Sequence, residues 1–128
     1  MANIDHLLIG PQGVFIVDAK KFQGRLTLDA GSLWNGGHLI KVSTTRWEAE
    51  EVGRHLSSCL DRKVPVWAVM CVMGALLPRL SMKLDGVRLV SGGGHLVREI
   101  RSYPQALGSD EVSLLAARSE AVFEPRTA

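Results

Sequence analysis

Ile4-Asp5-His6-Leu7-Leu8-Ile9-Gly10-Pro11-Gln12-Gly13-Val14-Phe15-Ile16-Val17-Asp18-Ala19-Lys20 is the stretch on which the fold turns. Two β-prone runs, Ile4 to Ile9 and Val14 to Val17, flank Gly-Pro-Gln-Gly, a strong turn signal, and so predict a hairpin. If the hairpin is symmetric about Pro11-Gln12, Gly10 faces Gly13 and Asp5 faces Asp18. Directly opposed residues have Cβ atoms roughly 4.5–5.5 Å apart. Lys20 lies two residues beyond Asp18 and shares its face, because side chains alternate along a strand. Leu7, Ile9, Val14 and Ile16 fall on the face of the aspartates, and Ile4, Leu8, Phe15 and Val17 on the other. With both faces apolar, the hairpin is expected at the centre of a sheet, with the aspartates at the end away from the turn.

Two carboxylates opposed in a poorly solvated place repel each other, and a proton or a cation must relieve them. A hard divalent ion with oxygen ligands suits the need; Mg²⁺ takes one or two carboxylates and keeps waters or phosphate oxygens. Mg²⁺ or Mn²⁺ held by Asp5 and Asp18, with the Lys20 amine beside it, would suit phosphodiester cleavage. An isolated Asp-X-Lys is commonplace and usually marks a strand end bound for solvent. Here the paired register and the apolar surroundings set it apart.

Outward from this hairpin the chain reads as follows. Lys20 to Gly24 is polar, and Arg25 to Asp29 alternates like a half-buried strand. Ala30-Gly31-Ser32 turns, and Leu33-Trp34 and His38 to Val42 form a second hairpin around Asn35-Gly36-Gly37. Thr45 with Glu48 three residues on fits a capping box, so a helix is expected from Arg46 to Leu60, with Trp47, Val52, Leu56 and Leu60 as its apolar stripe. Val64 to Met73 is Val-rich without alternation, which predicts a strand covered on both faces. Gly74 to Gly86 takes no assignment. Val87 to Val90 is a short strand, Gly92-Gly93-Gly94 leads into a helix from His95 to Ser102, and Asp110 to Val122 is a last helix capped by Ser109 or Asp110. The expected architecture is α/β or α+β, a central mixed sheet flanked by helices, within one domain over residues 1–123 and a frayed tail at 124–128.

The chain has 128 residues, enough for a real core, with 46% hydrophobic and 22% charged residues, which excludes a disordered class. A net charge of +2 permits a nucleic-acid partner without arguing for one. Cys59 and Cys71 have no metal-ligand spacing, which fits a reduced chain in the cytoplasm. The longest apolar run, Val66 to Leu77, is too short to span a bilayer, which takes roughly 20 residues, and the N-terminus reads as no signal peptide.

The Asp5–Lys20 stretch, continued by Phe22 and Gly24, resembles the signature of the NERD (nuclease-related domain) family and a form of the PD-(D/E)XK nuclease motif. The shared pattern is an Asp, an apolar strand, Gly-Pro-x-Gly-Val-Phe, a second apolar strand, then (Asp/Glu)-x-Lys and a nearby Gly. The resemblance implies a restriction-endonuclease-like fold, Asp5 and Asp18 as metal-binding carboxylates, a place at the metal for the Ala19 main-chain carbonyl, Lys20 as the catalytic lysine, and DNA as substrate. It also implies a helix and a strand ahead of Asp5, whereas this sequence starts four residues before it. The expectation is a site one ligand short and an exposed sheet edge open to an oligomer. The family's helix after the second hairpin often carries a Gln; Arg46 to Leu60 has none, and Glu48, Glu50 and Glu51 are the acidic alternatives.

The remaining candidates read more plainly. His6 points away from the aspartates. Lys21 and Arg25 are phosphate contacts or solvated charges. Gly92-Gly93-Gly94 lacks the Walker lysine and reads as a strand–helix turn. Trp34, Trp47 and Trp67 read as core, and Cys59 as a helix residue. Two functions compete: a metal-dependent DNA nuclease, and a weakly catalytic or inactive module that binds nucleic acid or protein.

Overall fold

The computed structural model describes residues 4–122. In chain order the elements are β1 (Ile4–Gly10), β2 (Gly13–Arg25), β3 (Thr27–Asp29), β4 (Ser32–Asn35), β5 (His38–Ile40), α1 (Ser43–Leu60), β6 (Val66–Leu76), β7 (Ser81–Leu84), β8 (Val87–Ser91), α2 (Gly92–Arg101) and α3 (Ser109–Val122). The frayed tail expected at 124–128 lies outside the described residues.

Five strands form one sheet in the order β1-β2-β6-β8-β7, and β3-β4-β5 form a smaller one. β2, β6 and β8 run parallel at the centre, and β1 and β7 pair antiparallel at the two margins. The architecture is thus a mixed α+β sheet flanked by three helices, consistent with a nuclease-like fold. Parallel inner strands are covered on both faces, which is why β2 and β6 read as unbroken apolar runs. On one face Val14, Ile16, Met70, Val72 and Leu89 pack with Leu56 of α1 and Leu115 of α3. On the other, Phe15, Val17, Val69, Cys71 and Val90 pack under Leu96, Ile100 and Tyr103 of the α2 end. Tyr103 stands edge-on to both Phe15 and Trp67, with ring centroids 5.3 and 4.9 Å away. The hairpin turn is pinned by the later chain, since the Ala106 and Leu107 amides donate to the Pro11 carbonyl at 2.7 and 3.0 Å.

Several expectations change. The hairpin is not central as a unit: β2 is interior, but β1 is the outer strand among the described residues. The polar stretch Lys20 to Gly24 continues β2, because β6 runs alongside it as far as Leu76 and supplies the ladder. α1 starts earlier, at Ser43, with Val42 at the N-cap position and no side-chain cap. Its buried residues are Thr45, Ala49, Val52 and Leu56. At 3.6 residues per turn Trp47 falls nearly opposite Thr45 and Ala49, and it is 59% exposed; Trp67, at 39%, is also only partly covered. The unassigned stretch after Gly74 contains β7, joined to β8 by an Asp85-Gly86 turn in which both residues have positive φ.

Candidate metal centre

The register of the first hairpin follows the symmetric pairing: Gly10 opposes Gly13 and Asp5 opposes Asp18. Opposed residues of an antiparallel pair share a face. The side chain of Asp5 lies outside what the structure describes; its place in the ladder does not. Asp18 sits level with Met70 of β6, on the α1 face, and is 5% exposed. A carboxylate at that depth must be partnered. Thr45 Oγ1, in the first turn of α1 and 2% exposed, donates to Asp18 Oδ2 at 3.2 Å. Lys20 Nζ lies 3.4 Å from the same oxygen, and its side chain is 17% exposed. The Asp18 carboxylate therefore meets a hydroxyl and an ammonium near the positive end of a helix, where negative charge is favoured.

Thr45 was expected as a cap and is instead a buried partner of Asp18. Because the helix begins at Ser43, Thr45 lies on the inward stripe, one turn before Ala49. The readable signal was a hydroxyl at i−4 and i−7 from Ala49 and Val52, a buried position where it needs an acceptor. Of the three acidic residues of α1, Glu48 follows Thr45 by one turn and is half-buried, whereas Glu50 and Glu51 are exposed. Arg46 is drawn away from the centre by ion pairs with Asp85 and, at 3.8 Å, Glu50.

His6 is exposed and opposes Val17, so it takes the face away from Asp18. Lys21 and Arg25 are exposed on β2 beyond Lys20. Cys71 lies in the core of β6; burial pushes its thiol up, against a lowering hydrogen bond with the Gly92 backbone, so it offers no thiolate nucleophile. Cys59 is half-buried in α1, with its thiol on the His55 carbonyl at 3.5 Å.

Carboxylate, hydroxyl and main-chain oxygens at this place would suit a hard divalent cation better than zinc or copper, with the Lys20 ammonium beside the ion and not a ligand to it. Among the described residues no three His, Cys, Asp or Glu side chains converge as a metal site. Likewise, no helix among them is long and apolar enough to cross a membrane.

Comparison with known proteins gives one family: the model described as nuclease-related domain, NERD, matches residues 1–73. That span holds Asp5, Asp18, Lys20, Thr45 and Glu48 and runs from the first hairpin to Met73 of β6. Neither the curated proteins nor the solved structures include a match.

Proposed function

The chain belongs to the nuclease-related domain family, and on that premise we propose that it is a divalent-metal-dependent nuclease hydrolysing DNA in the cytoplasm. The observation that carries the reading is the buried Asp18 carboxylate, held by Thr45 and 3.4 Å from the Lys20 amine, at the level of the sheet where Asp5 stands opposite.

Asp5 and Asp18 hold Mg²⁺ or Mn²⁺, with the main-chain carbonyl of Ala19 and the half-buried Glu48 as further oxygen donors. When bound, the ion supplies Lewis-acid polarisation of the phosphate and lowers the pKa of an attacking water. Lys20 donates to phosphate oxygen as negative charge builds in the transition state, an electrostatic contribution that grows where water is excluded. Thr45 and Lys20 both meet one oxygen of Asp18, which sets the orientation of the carboxylate. Burial of Asp18 and Thr45 beside the core residues Ile16 and Met70 lowers the local dielectric and strengthens these interactions.

Plasmid cleavage in Mg²⁺ or Mn²⁺ tests the reading. Wild type should nick or linearise DNA only with metal. Asp18→Ala and Lys20→Ala should each lower the rate by a factor of a hundred or more, on the order of the 10²–10³ lost with one transition-state donor. Cleavage that survives chelation, or equal cleavage by the variants, would reject it. A wild type that never cleaves would instead be a binding module of the same family.

A further inference from the structure

Immediately beyond Lys20, β2 departs from regular pairing. Lys21 pairs with Met73 and Gly24 with Ala75, so Phe22 and Gln23 stand against Gly74 alone. A two-against-one bulge of this kind re-aims side chains and is common beside active sites. Gly74 allows it to close: φ is 76°, and a Cβ there would lie 2.7 Å from the Phe22 carbonyl oxygen. The bulge and the end of β4 wall an open groove of about 500 Å³, lined by Lys21, Phe22, Gln23, Asn35 and Gly74. That volume lies within the roughly 300–1,000 Å³ of small-ligand sites.

The lining has a definite chemistry. It offers one cation, one half-buried aromatic ring, two carboxamides and no carboxylate. Carboxamides donate and accept at once, the pattern that reads the polar edge of a base. An aromatic face stacks on a base of any sequence, and a lysine meets a phosphate. In a duplex, the pairing edge is turned to the partner strand and the base faces are stacked; in an unpaired nucleotide both are free. The groove begins one residue past Lys20.

We propose that this groove holds the base of an unpaired nucleotide flanking the scissile phosphate. Gln23 and Asn35 meet its edge, Phe22 its face, and Lys21 the neighbouring phosphate. The proposal rests on the nuclease reading and adds to it a preference for single-stranded or frayed DNA and a positioning role for these four residues.

Fluorescence anisotropy of a labelled short oligonucleotide, single-stranded or as its blunt duplex, tests it, with Ca²⁺ replacing Mg²⁺ so that the strand stays intact. Wild type should bind the single strand more tightly than the duplex. Gln23→Ala and Asn35→Ala should each weaken single-strand binding by roughly three- to tenfold, the yield of one lost hydrogen bond. Lys83→Ala, on the exposed far-edge strand β7, should leave it unchanged. Gln23 is exposed and decides the matter if the Asn35 variant does not fold. Single-strand binding undiminished in the Gln23 variant, or a preference for duplex, would overturn the groove assignment and leave the nuclease reading standing. A wild type that binds neither form would overturn both.

Discussion

At 5% exposure the Asp18 carboxylate depends on what touches it, and Thr45 is the contact a substitution can isolate. Thr45→Val keeps the shape and removes the hydroxyl. The expected result is a folded protein about 1.5–3 kcal/mol less stable, the usual worth of a hydrogen bond to a charged group. Its Mg²⁺ affinity should fall about tenfold, as when an outer partner of a metal ligand is lost. Thr45→Ser should restore the affinity; calorimetric titration reads both. An unchanged affinity would make Thr45 structural only. The opposition of positions 5 and 18 and the nearness of Lys20 to Asp18 were legible in the sequence because a strand has a period of two and a tight turn fixes its register. Thr45 was out of reach for the opposite reason: its partner lies 27 residues away, across a crossover that no local pattern spans.

Among the elements, α3 is tied to the end of α1 by charge. Arg62, just past α1, donates to both oxygens of Glu111 at 2.7 Å and to the Ala106 carbonyl at 3.2 Å. The Gly108 amide donates to Glu111 Oε1 at 2.9 Å. Gly108 and Glu111 thus make the start of α3 that the sequence assigned to Ser109 or Asp110, with Glu111 reaching back as in half of a capping box. The Gly108 amide first, and then Arg62, hold the Glu111 carboxyl below its ordinary value. Because the folded-state value lies under the unfolded one, this contribution is complete above the ordinary carboxylate range and is lost as pH falls through the folded value. Thermal melts of wild type and Glu111→Gln should therefore differ most near neutrality and converge in acid. A gap that widens as pH falls through the carboxylate range would contradict this. The β7–β8 hairpin has a weak local signature although Asp85-Gly86 is a strong two-residue turn signal. Leu80-Ser81-Met82-Lys83-Leu84 buries Met82 alone, so the alternation that marks a strand is faint.

For the molecule as a whole, the matched span of residues 1–73 covers β1 through Met73 of β6, and the remainder adds β8 and β7 beside β6, α2 over one face of the sheet, and α3 against α1 and β1. The sheet class was legible because unalternating runs such as Val14–Val17 and Val69–Val72 require cover on both faces. Strand order was not, because the placement of β1 at the margin and β8 beside β6 depends on long-range pairing that no local pattern records. The sheet's central consequence is that folding brings Asp5 and Asp18 into opposition, so a cation bound by both must stabilise the folded state as a whole. Thermal denaturation with and without Mg²⁺, on wild type, Asp5→Asn and Asp18→Asn, measures this most directly. At metal a hundredfold above its Kd the gain is about 2.7 kcal/mol. The account predicts a rise in Tm of roughly 10 °C for wild type and little or none for either variant. No rise in wild type, or an equal rise in all three proteins, would contradict it.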